Sequence, residues 1–579
     1  MVTSVESVKS VTAAKSVTPV KSEKSVKSVK SVTSAKSVTS VTSGKWVKWV
    51  NWWRARLSPV PRLQLEPDAL PVPWHAARVA IFKRIAAGER RIDGSLRDAI
   101  FPLADAAPQL ASLDDGATDY TLAYPRAALE RAQLQDVCSA LRRAADDHTA
   151  PYLLTMYQAL LTAGDATMGD DLLARLDDSA ADPARTALLA RWLAREAPDA
   201  AAVKLAIVLL GRYGSASDAD LLLTLGLHEA FTQLCAIALV KLLGPEQAQT
   251  AMWNLARRVH GWGRVHVVRQ LAGTQCPEIR QWLLRDGYKN TLSNAYLAYH
   301  CATGGKLLAA LQAAPADERL LIGAGEMIVA LLEGRDGPGK SMADYAEGAA
   351  ATLALLTSVQ RQRPQLLPLA ASIIAIAERN YGGWDEAQLR HIQHMAKQIL
   401  AFDYWPAAVL DKLRFGSDDE FELAATLAKA FHIDAWEYRF AKQQRRERSQ
   451  WFGLTDTADP TRAKRYIALA IEQLDLAALE LGIAAIEPRA KDVEMHAAIN
   501  WLAIGLRNFP GQGWPILRAA LTGADWANKG NALDTLARWR PAHWHADAGA
   551  VLEHAWRTES DLRLKQDMAR LMEKSRARE

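Results

Sequence analysis

The chain has 579 residues, more than one hydrophobic core usually organises, so the sequence predicts several domains or an elongated array of repeats. Nearly half of the residues are hydrophobic, and alanine and leucine dominate over valine and isoleucine, which favours an all-helical protein. The four cysteines form no C-x-x-C pair, so neither a disulfide framework nor a cysteine zinc site is indicated, and we expect a reducing, cytoplasmic location. They are Cys138, Cys235, Cys276 and Cys301.

Neither a membrane span nor a signal peptide is expected. The longest clean apolar run, residues 366–377, is far shorter than the roughly 20 residues that cross a bilayer. The N-terminus lacks the apolar region and the small-residue cleavage site of a signal peptide.

Residues 1–45 form a low-complexity tail of Ser, Val and Lys. Its repeat of about three residues fits neither a helix nor a strand, so we expect disorder. The tail holds eight lysines and two glutamates, and the whole chain carries +5, which leaves about −1 for the remaining residues. The positive charge therefore belongs to the tail and predicts only weak attraction to anionic surfaces or nucleic acid.

A basic, tryptophan-rich segment follows at residues 46–57. Trp46, Trp49 and Trp53 recur at helical spacing among lysines and arginines, which is typical of a short amphipathic helix. Weak contact with a membrane surface is one interpretation, and docking on the folded body is the other. Residues 58–73 contain five prolines and predict a stiff linker.

The remaining chain reads as a succession of helices with short breaks at Gly, Pro or Asp. Residues 217–244, 244–273 and 275–305 each predict a helix, a turn and a second helix over about 30 residues. Since one helix pair cannot bury both of its faces, we expect stacked pairs in an α-solenoid or superhelix with a concave inner face. We divide this body into helical-repeat regions 74–340 and 341–579.

The stretch GRDGPGKS matches the spacing of a phosphate-binding loop, with Gly334, Gly339, Lys340 and Ser341 at the defining positions. A functional loop of this kind follows a buried strand in a parallel sheet. The preceding residues, 317–334, fit a helix equally well, and the flanking regions read as helix pairs. We therefore expect an exposed connection between helices, with nucleotide binding as the alternative.

The most distinctive motif of the body lies in RVHGWGRVHVVRQL, residues 258–271. We interpret the two glycines as a tight inter-helix turn, with one histidine capping the end of the preceding helix and the other inside the next. The histidines are six residues apart with no carboxylate at i+3 or i+4, so we expect no metal, although cysteines and a histidine follow nearby. The motif comprises His260, Gly261, Trp262, Gly263, Arg264 and His266.

A basic patch with aromatic neighbours occurs in AWEYRFAKQQRRERSQWF, residues 435–452. Helical spacing places Arg439, Lys442 and Arg446 along one face, with Arg445 beside them. Basic residues interleaved with aromatics suit single-stranded nucleic acid. A solvated outer face is the interpretation we favour, because the folded body is nearly neutral.

On two of these stretches, the chain resembles a group of bacterial proteins with HEAT-like helical repeats, some of which carry the name limonene hydroxylase. The resemblance rests on HEAFTQLCAIAL, residues 228–239, and VHGWGRVH, residues 259–266, and covers about residues 180–310. The resemblance implies a stacked-helix fold and NAD(P)H-dependent hydroxylation of a monoterpene. It identifies no catalytic residue.

Hydroxylation of an unactivated carbon needs a haem, flavin or iron centre. The sequence contains no haem-thiolate cysteine loop, no G-x-G-x-x-G after a strand and no facial-triad spacing. We therefore expect a HEAT-like scaffold that binds a protein partner on its concave face, without a cofactor. A limonene hydroxylase-like enzyme using NADPH and a nucleic-acid-binding repeat protein are the alternatives.

Overall fold

The structure is a computed structural model. It describes residues 70–98, 101, 103, 131–164, 170–178, 182–313, 315–334, 339–480 and 490–576. All of them belong to one unit, Val60–Glu579. The predictions for the tail, for the tryptophan-rich segment and for most of the proline-rich linker lie outside the described residues.

Every regular element of the described residues is a helix, which confirms the all-α prediction. The first fourteen are α1 (Ile81–Ala87), α2 (Arg131–Asp146), α3 (Ala150–Ala163), α4 (Asp170–Asp178), α5 (Pro183–Glu196), α6 (Ala200–Tyr213), α7 (Ala219–Leu225), α8 (Glu229–Leu242), α9 (Pro245–Ala256), α10 (Gly261–Leu271), α11 (Pro277–Trp282), α12 (Ala295–Gly305), α13 (Leu307–Gln312) and α14 (Glu318–Glu333). A π-helical turn, Leu283–Gly287, continues α11.

The second fourteen helices begin after residue 340. They are α15 (Gly348–Gln362), α16 (Leu367–Glu378), α17 (Glu386–Leu400), α18 (Tyr404–Phe415), α19 (Asp418–Leu427), α20 (Trp436–Gln444), α21 (Trp451–Thr455), α22 (Pro460–Gln473), α23 (Leu476–Glu480), α24 (Ala490–Gly505), α25 (Trp514–Thr522), α26 (Trp526–Arg538), α27 (Ala548–Thr558) and α28 (Leu562–Arg576). Single 3-10 turns, such as Met342–Asp344 and Leu506–Asn508, connect some of them.

Short-range sequence signals explain many of the helix starts. Aspartate side chains at Asp182, Asp317 and Asp525 accept hydrogen bonds from backbone N–H groups in the first turns of α5, α14 and α26. Proline occupies the first position of α9 and α11, where its missing N–H costs nothing. The three helix pairs expected between residues 217 and 305 are present as α7–α8, α9–α10 and α11–α12.

Alternate helices pack on one another in chain order. One row of successive contacts runs through α6, α8, α10, α12, α14 and α16. A second row runs through α13, α15 and α17. The same relation recurs in α24, α26 and α28 and in α23, α25 and α27, and α21 contacts α24. Packing continues across residue 340 through the α14–α16 and α13–α15 contacts.

Large side chains fill the space between these helices. Trp192, Trp405, Trp539, Tyr288 and Tyr466 are among the largest fully buried ones. These rings contribute apolar area to the core. Two of the indole N–H groups also donate to carbonyl oxygens at helix ends, Trp405 to Ile399 and Trp539 to Leu506. Within the described part of the chain, no helix combines the length and the apolar character needed to cross a membrane.

Candidate functional site

The Gly-Trp-Gly motif opens a helix and is not the inter-helix turn that the two glycines suggested. α9 ends at Ala256, and α10 begins at Gly261, whose φ is +58°. His260 therefore precedes the N-terminus of α10 and does not cap the end of α9. The whole of the motif from Gly261 to His266 is buried within α10.

A carboxylate from the neighbouring helix holds the N-terminus of α10. Glu229, the first residue of α8, is only 6% exposed. Its Oε1 accepts hydrogen bonds from the backbone N–H of Trp262 and, at 3.3 Å, from that of Gly263. The carboxylate thus satisfies two N–H groups that have no partner inside α10, at the positive end of its helix dipole.

Both glycines of the motif allow a close approach between α8 and α10. A Cβ at Gly261 would lie 2.8 Å from Glu229 Oε1, and one at Gly263 would lie 2.7 Å from Thr232 Oγ1. The Thr232 hydroxyl also lies 2.8 Å from the carbonyl oxygen of Gly226. Any larger residue would displace the groups that hold the start of α10. Glycine is therefore needed here for the close approach of α8 and α10, and at Gly261 also for the positive φ.

Two residues beyond α11 complete the contacts of the helix start. The N–H of Gly261 donates to Thr291 Oγ1 at 3.1 Å, and Asn290 Nδ2 donates to the carbonyl oxygen of Gly261 at 3.2 Å. The Trp262 ring packs edge-on against Tyr296, with centroids 4.8 Å apart. The helix start therefore contacts α8, α12 and the connection between α11 and α12.

Arg264 joins three backbone segments from inside the protein. It is 6% exposed, and its guanidinium donates to the carbonyl oxygens of Ala256 at 2.8 Å, Val259 at 3.4 Å and Asp286 at 2.7 Å. The ring of Trp282 lies 5.3 Å from the guanidinium carbon. Burial lowers the pKa of Arg264, but the group stays charged because an arginine pKa starts above 12.

Two histidine rings near the motif contact backbone and carboxylate groups. His228 Nδ1 accepts from the N–H of Ala230, so its Nε2 carries the proton and donates to the carbonyl oxygen of Phe101 at 3.1 Å. Burial, followed by the charge of Arg264, lowers the pKa of His260, whose Nε2 lies 3.4 Å from Asp93 Oδ2. These rings position backbone and loop segments.

The thiols near the motif are poor nucleophiles. All four cysteines are free, and burial raises the pKa of Cys235 and of Cys301, which keeps both protonated at neutral pH. Among the residues that the structure describes, no group of three or more His, Cys, Asp or Glu side chains is placed to hold a metal ion. The arrangement is suited to fixing helices against each other.

The phosphate-loop pattern follows a helix. α14 ends at Glu333, and Gly334 is its C-terminal cap, while residues 335–338 lie outside the described part. A Cβ at Gly339 would lie 2.8 Å from the carbonyl oxygen of Ala295, and the ammonium of Lys340 lies 4.2 Å from the centre of the Tyr299 ring. Ser341 Oγ accepts from the N–H of Ala343 and caps a 3-10 turn. The nucleotide interpretation stays an untested alternative.

His300, in the helix that Lys340 contacts, predicts acid sensitivity. Burial, with the charges of Arg269 and Lys340, lowers the pKa of His300 to about 3. Below pH 6.5, His300 is protonated in the unfolded chain but stays neutral in the folded protein. The free energy of unfolding therefore falls as the pH drops toward 3. When the pH is lowered from 7 to 4.5, we expect the free energy of unfolding of His300→Gln to fall by about 2 kcal/mol less than that of the original protein. Urea unfolding at the two pH values measures both changes. Equal losses of unfolding free energy in the two proteins would show that His300 is not the source of the acid sensitivity.

Ion pairs engage most of the basic patch. Arg439 Nη1 donates to Glu422 Oε2 at 2.9 Å, Lys442 pairs with Asp418, and Arg445 pairs with Glu447. α20 ends at Gln444, so Arg446 does not continue the helical face expected from its spacing; it has a φ of +55°. Acidic residues therefore offset much of the charge that a phosphate backbone would use.

We accordingly expect the patch to contribute little to nucleic-acid binding. We expect the double variant Arg445→Ala, Arg446→Ala to bind a fluorescent single-stranded oligonucleotide with an affinity within about twofold of the original protein's at each salt concentration. If these arginines contacted phosphates, their loss would make the affinity less dependent on salt. A clearly reduced slope in the double variant would favour the nucleic-acid alternative.

Sequence reasoning singled out the motif on α10 but missed its partners on other segments. Thr291 and Asp286 carry no local signal, and Glu229 carries only that of an acidic residue in the first turn of α8. A comparison with models of known protein families, with curated proteins and with solved structures gave no match. The resemblance to the HEAT-like group therefore stays a prediction that rests on two short stretches.

Proposed function

We propose that this protein is a HEAT-like helical-repeat scaffold that binds a protein partner on the concave face of its array. The observation that carries the proposal is the packing of alternate helices in chain order, from α6 to α16 and again from α23 to α28. An array of this kind gains surface with each added helix pair, and extended surfaces of stacked helices suit macromolecular partners.

The contacts of the most distinctive motif support the same function. The Glu229 carboxylate accepts from backbone N–H groups of α10, and the Arg264 guanidinium donates to backbone carbonyl oxygens of Ala256 and Asp286. A catalytic carboxylate or guanidinium needs access to a reacting atom, whereas both of these charged side chains are deeply buried. We therefore assign the motif to helix positioning within the scaffold.

The test is recovery and reconstitution of a complex. The tagged full chain is purified from its own host after brief chemical crosslinking, and each protein recovered in stoichiometric amount is expressed separately. We expect at least one such protein to bind the full chain in isothermal titration with a defined stoichiometry. NADPH oxidation stimulated by limonene, without a reconstituted complex, would contradict the proposal and favour the hydroxylase alternative.

A further inference from the structure

One exposed helix face in the C-terminal region combines aromatic rings with side-chain amides. α24 lies between α21 and α26, and its outward stripe contains the exposed Ala497 and Trp501 and the partly buried Ile504. Helical periodicity places Trp501 toward α21 and Asn500 toward α26, on adjacent edges of this stripe. We call the surface formed by the stripe and these two edges the α24 face.

The edge toward α21 is aromatic. Phe452 of α21 packs edge-on against Trp501, with ring centroids 4.6 Å apart. Phe452 is 62% exposed and Trp501 is 36% exposed, so much of both rings is left in water. Burial of this apolar area by a ligand is favourable, and clustered aromatics of this kind are enriched among the residues that dominate binding.

The edge toward α26 is lined with amides. Asn531 Nδ2 donates to Asn500 Oδ1, and Arg507 Nη2 donates to Asn531 Oδ1 at 2.8 Å. Arg507 also pairs with Asp534 Oδ2 at 2.8 Å, so the edge carries no excess charge there. These side chains are only partly buried, and the amide nitrogen of Asn500 has no hydrogen bond to any described residue.

Unused hydrogen-bonding capacity lies at the base of the same edge. Asn528 is 4% exposed, and its Nδ2 lies 3.3 Å from His496 Nδ1, while its Oδ1 has no partner among the described residues. Exchanging the oxygen and nitrogen of this amide would leave the nitrogen unpartnered instead. Arg507 Nε is likewise buried without a partner there. Such groups are costly unless something else satisfies them.

We propose that the α24 face binds an extended peptide segment of a partner protein, with an apolar side chain against Phe452 and Trp501 and the peptide backbone along Asn500 and Asn531. A side-chain amide offers both a donor and an acceptor, which matches the alternating N–H and C=O groups of an extended backbone. The balanced charge of the edge selects for backbone and apolar contacts over acidic or basic ligands. This inference rests on the proposed scaffold function and names the surface that the partner contacts.

The probe is a phage-displayed library of random twelve-residue peptides selected on the full chain. Each enriched peptide is synthesised with a fluorescent label, and its dissociation constant is measured by anisotropy. Trp501→Ala and Asn531→Ala remove one group from each edge. Gly530→Arg adds bulk on the exposed side of α26, where a side chain meets nothing within 4 Å, so it tests blocking without removing a native contact. Trp556→Ala is the matched control, since Trp556 is 39% exposed on α27.

We expect enriched peptides to share one apolar position and to bind Trp501→Ala at least about tenfold more weakly, as expected for an aromatic anchor. Gly530→Arg should weaken binding similarly, and Trp556→Ala should not. Methylation of single backbone nitrogens in the peptide should weaken binding to the original protein more than to Asn531→Ala. Peptides that bind all variants equally would overturn the α24 face while leaving the scaffold proposal intact. A selection that enriches no peptide would overturn this inference, whereas the scaffold proposal is judged by the reconstituted complex.

Discussion

Replacement of Glu229 by alanine is expected to lower the free energy of unfolding by about 3 kcal/mol. The substitution leaves the N–H groups of Trp262 and Gly263 buried without their acceptor and removes a charge that favours the N-terminus of α10. Urea unfolding gives the stability change. Hydrogen exchange of the peptide spanning residues 261–266 should show loss of protection confined to the start of α10.

Glu229→Gln is the matched control for this prediction. It keeps an oxygen acceptor of the same shape and loses only the charge, so we expect a loss of about 1 kcal/mol. Gly261→Ala should destabilise the same helix start, because its Cβ would enter the space of the carboxylate and the residue has a φ of +58°. Unchanged stability and unchanged exchange in Glu229→Ala would refute the proposed role of this carboxylate.

Replacement of Arg264 by leucine is expected to cost about 3 to 4 kcal/mol. The carbonyl oxygens of Ala256, Val259 and Asp286 lose a shared charged donor inside the protein. Thermal and urea unfolding would measure the loss. The apolar leucine isolates the polar contribution better than alanine does, since it leaves a smaller cavity.

Arg264→Lys distinguishes charge from geometry. A lysine keeps the positive charge but cannot reproduce the planar guanidinium that reaches three carbonyl oxygens at once, so we expect about half of the leucine effect. If the lysine variant were as stable as the original protein, the buried charge and not the planar geometry would explain the stabilising effect of Arg264. If leucine were tolerated as well, the bridging role would be wrong.

The helical architecture could be predicted because its signals are local. Breaks at proline and glycine, and acidic residues before helices, mark the starts of α9, α11 and α14 with little dependence on the rest of the chain. The π-helical turn at Leu283–Gly287 was not predicted, since no residue type specifies it and packing against α12 and α14 accompanies it.

The site was only half predictable. The motif from His260 to His266 was identified by its unusual composition, yet its glycines were assigned to a turn because glycine usually marks one. The partner that makes glycine necessary, Glu229, lies 33 residues from Trp262. Periodicity indicates which face of α8 or α10 is buried, but not which residues of the two faces meet. That register depends on tertiary packing.

The basic patch also shows that helical spacing does not reveal the tertiary partners of a side chain. Helical spacing grouped Arg439, Lys442 and Arg446, and the sequence gives no indication that acidic residues of α19 pair with the first two. Those partners lie 17 and 24 residues away. The left-handed backbone at Arg446 is likewise a local departure that spacing alone does not reveal.

Native mass spectrometry of the full chain purified from its own host tests the scaffold account most directly, because one spectrum reports protein partners, nucleotides, metals and organic cofactors together. We predict masses of the chain alone and of the chain with a second protein, and no recurring small-molecule adduct. A reproducible added mass that matches flavin, haem, iron or a nucleotide would contradict the account and return attention to the hydroxylase and phosphate-loop alternatives.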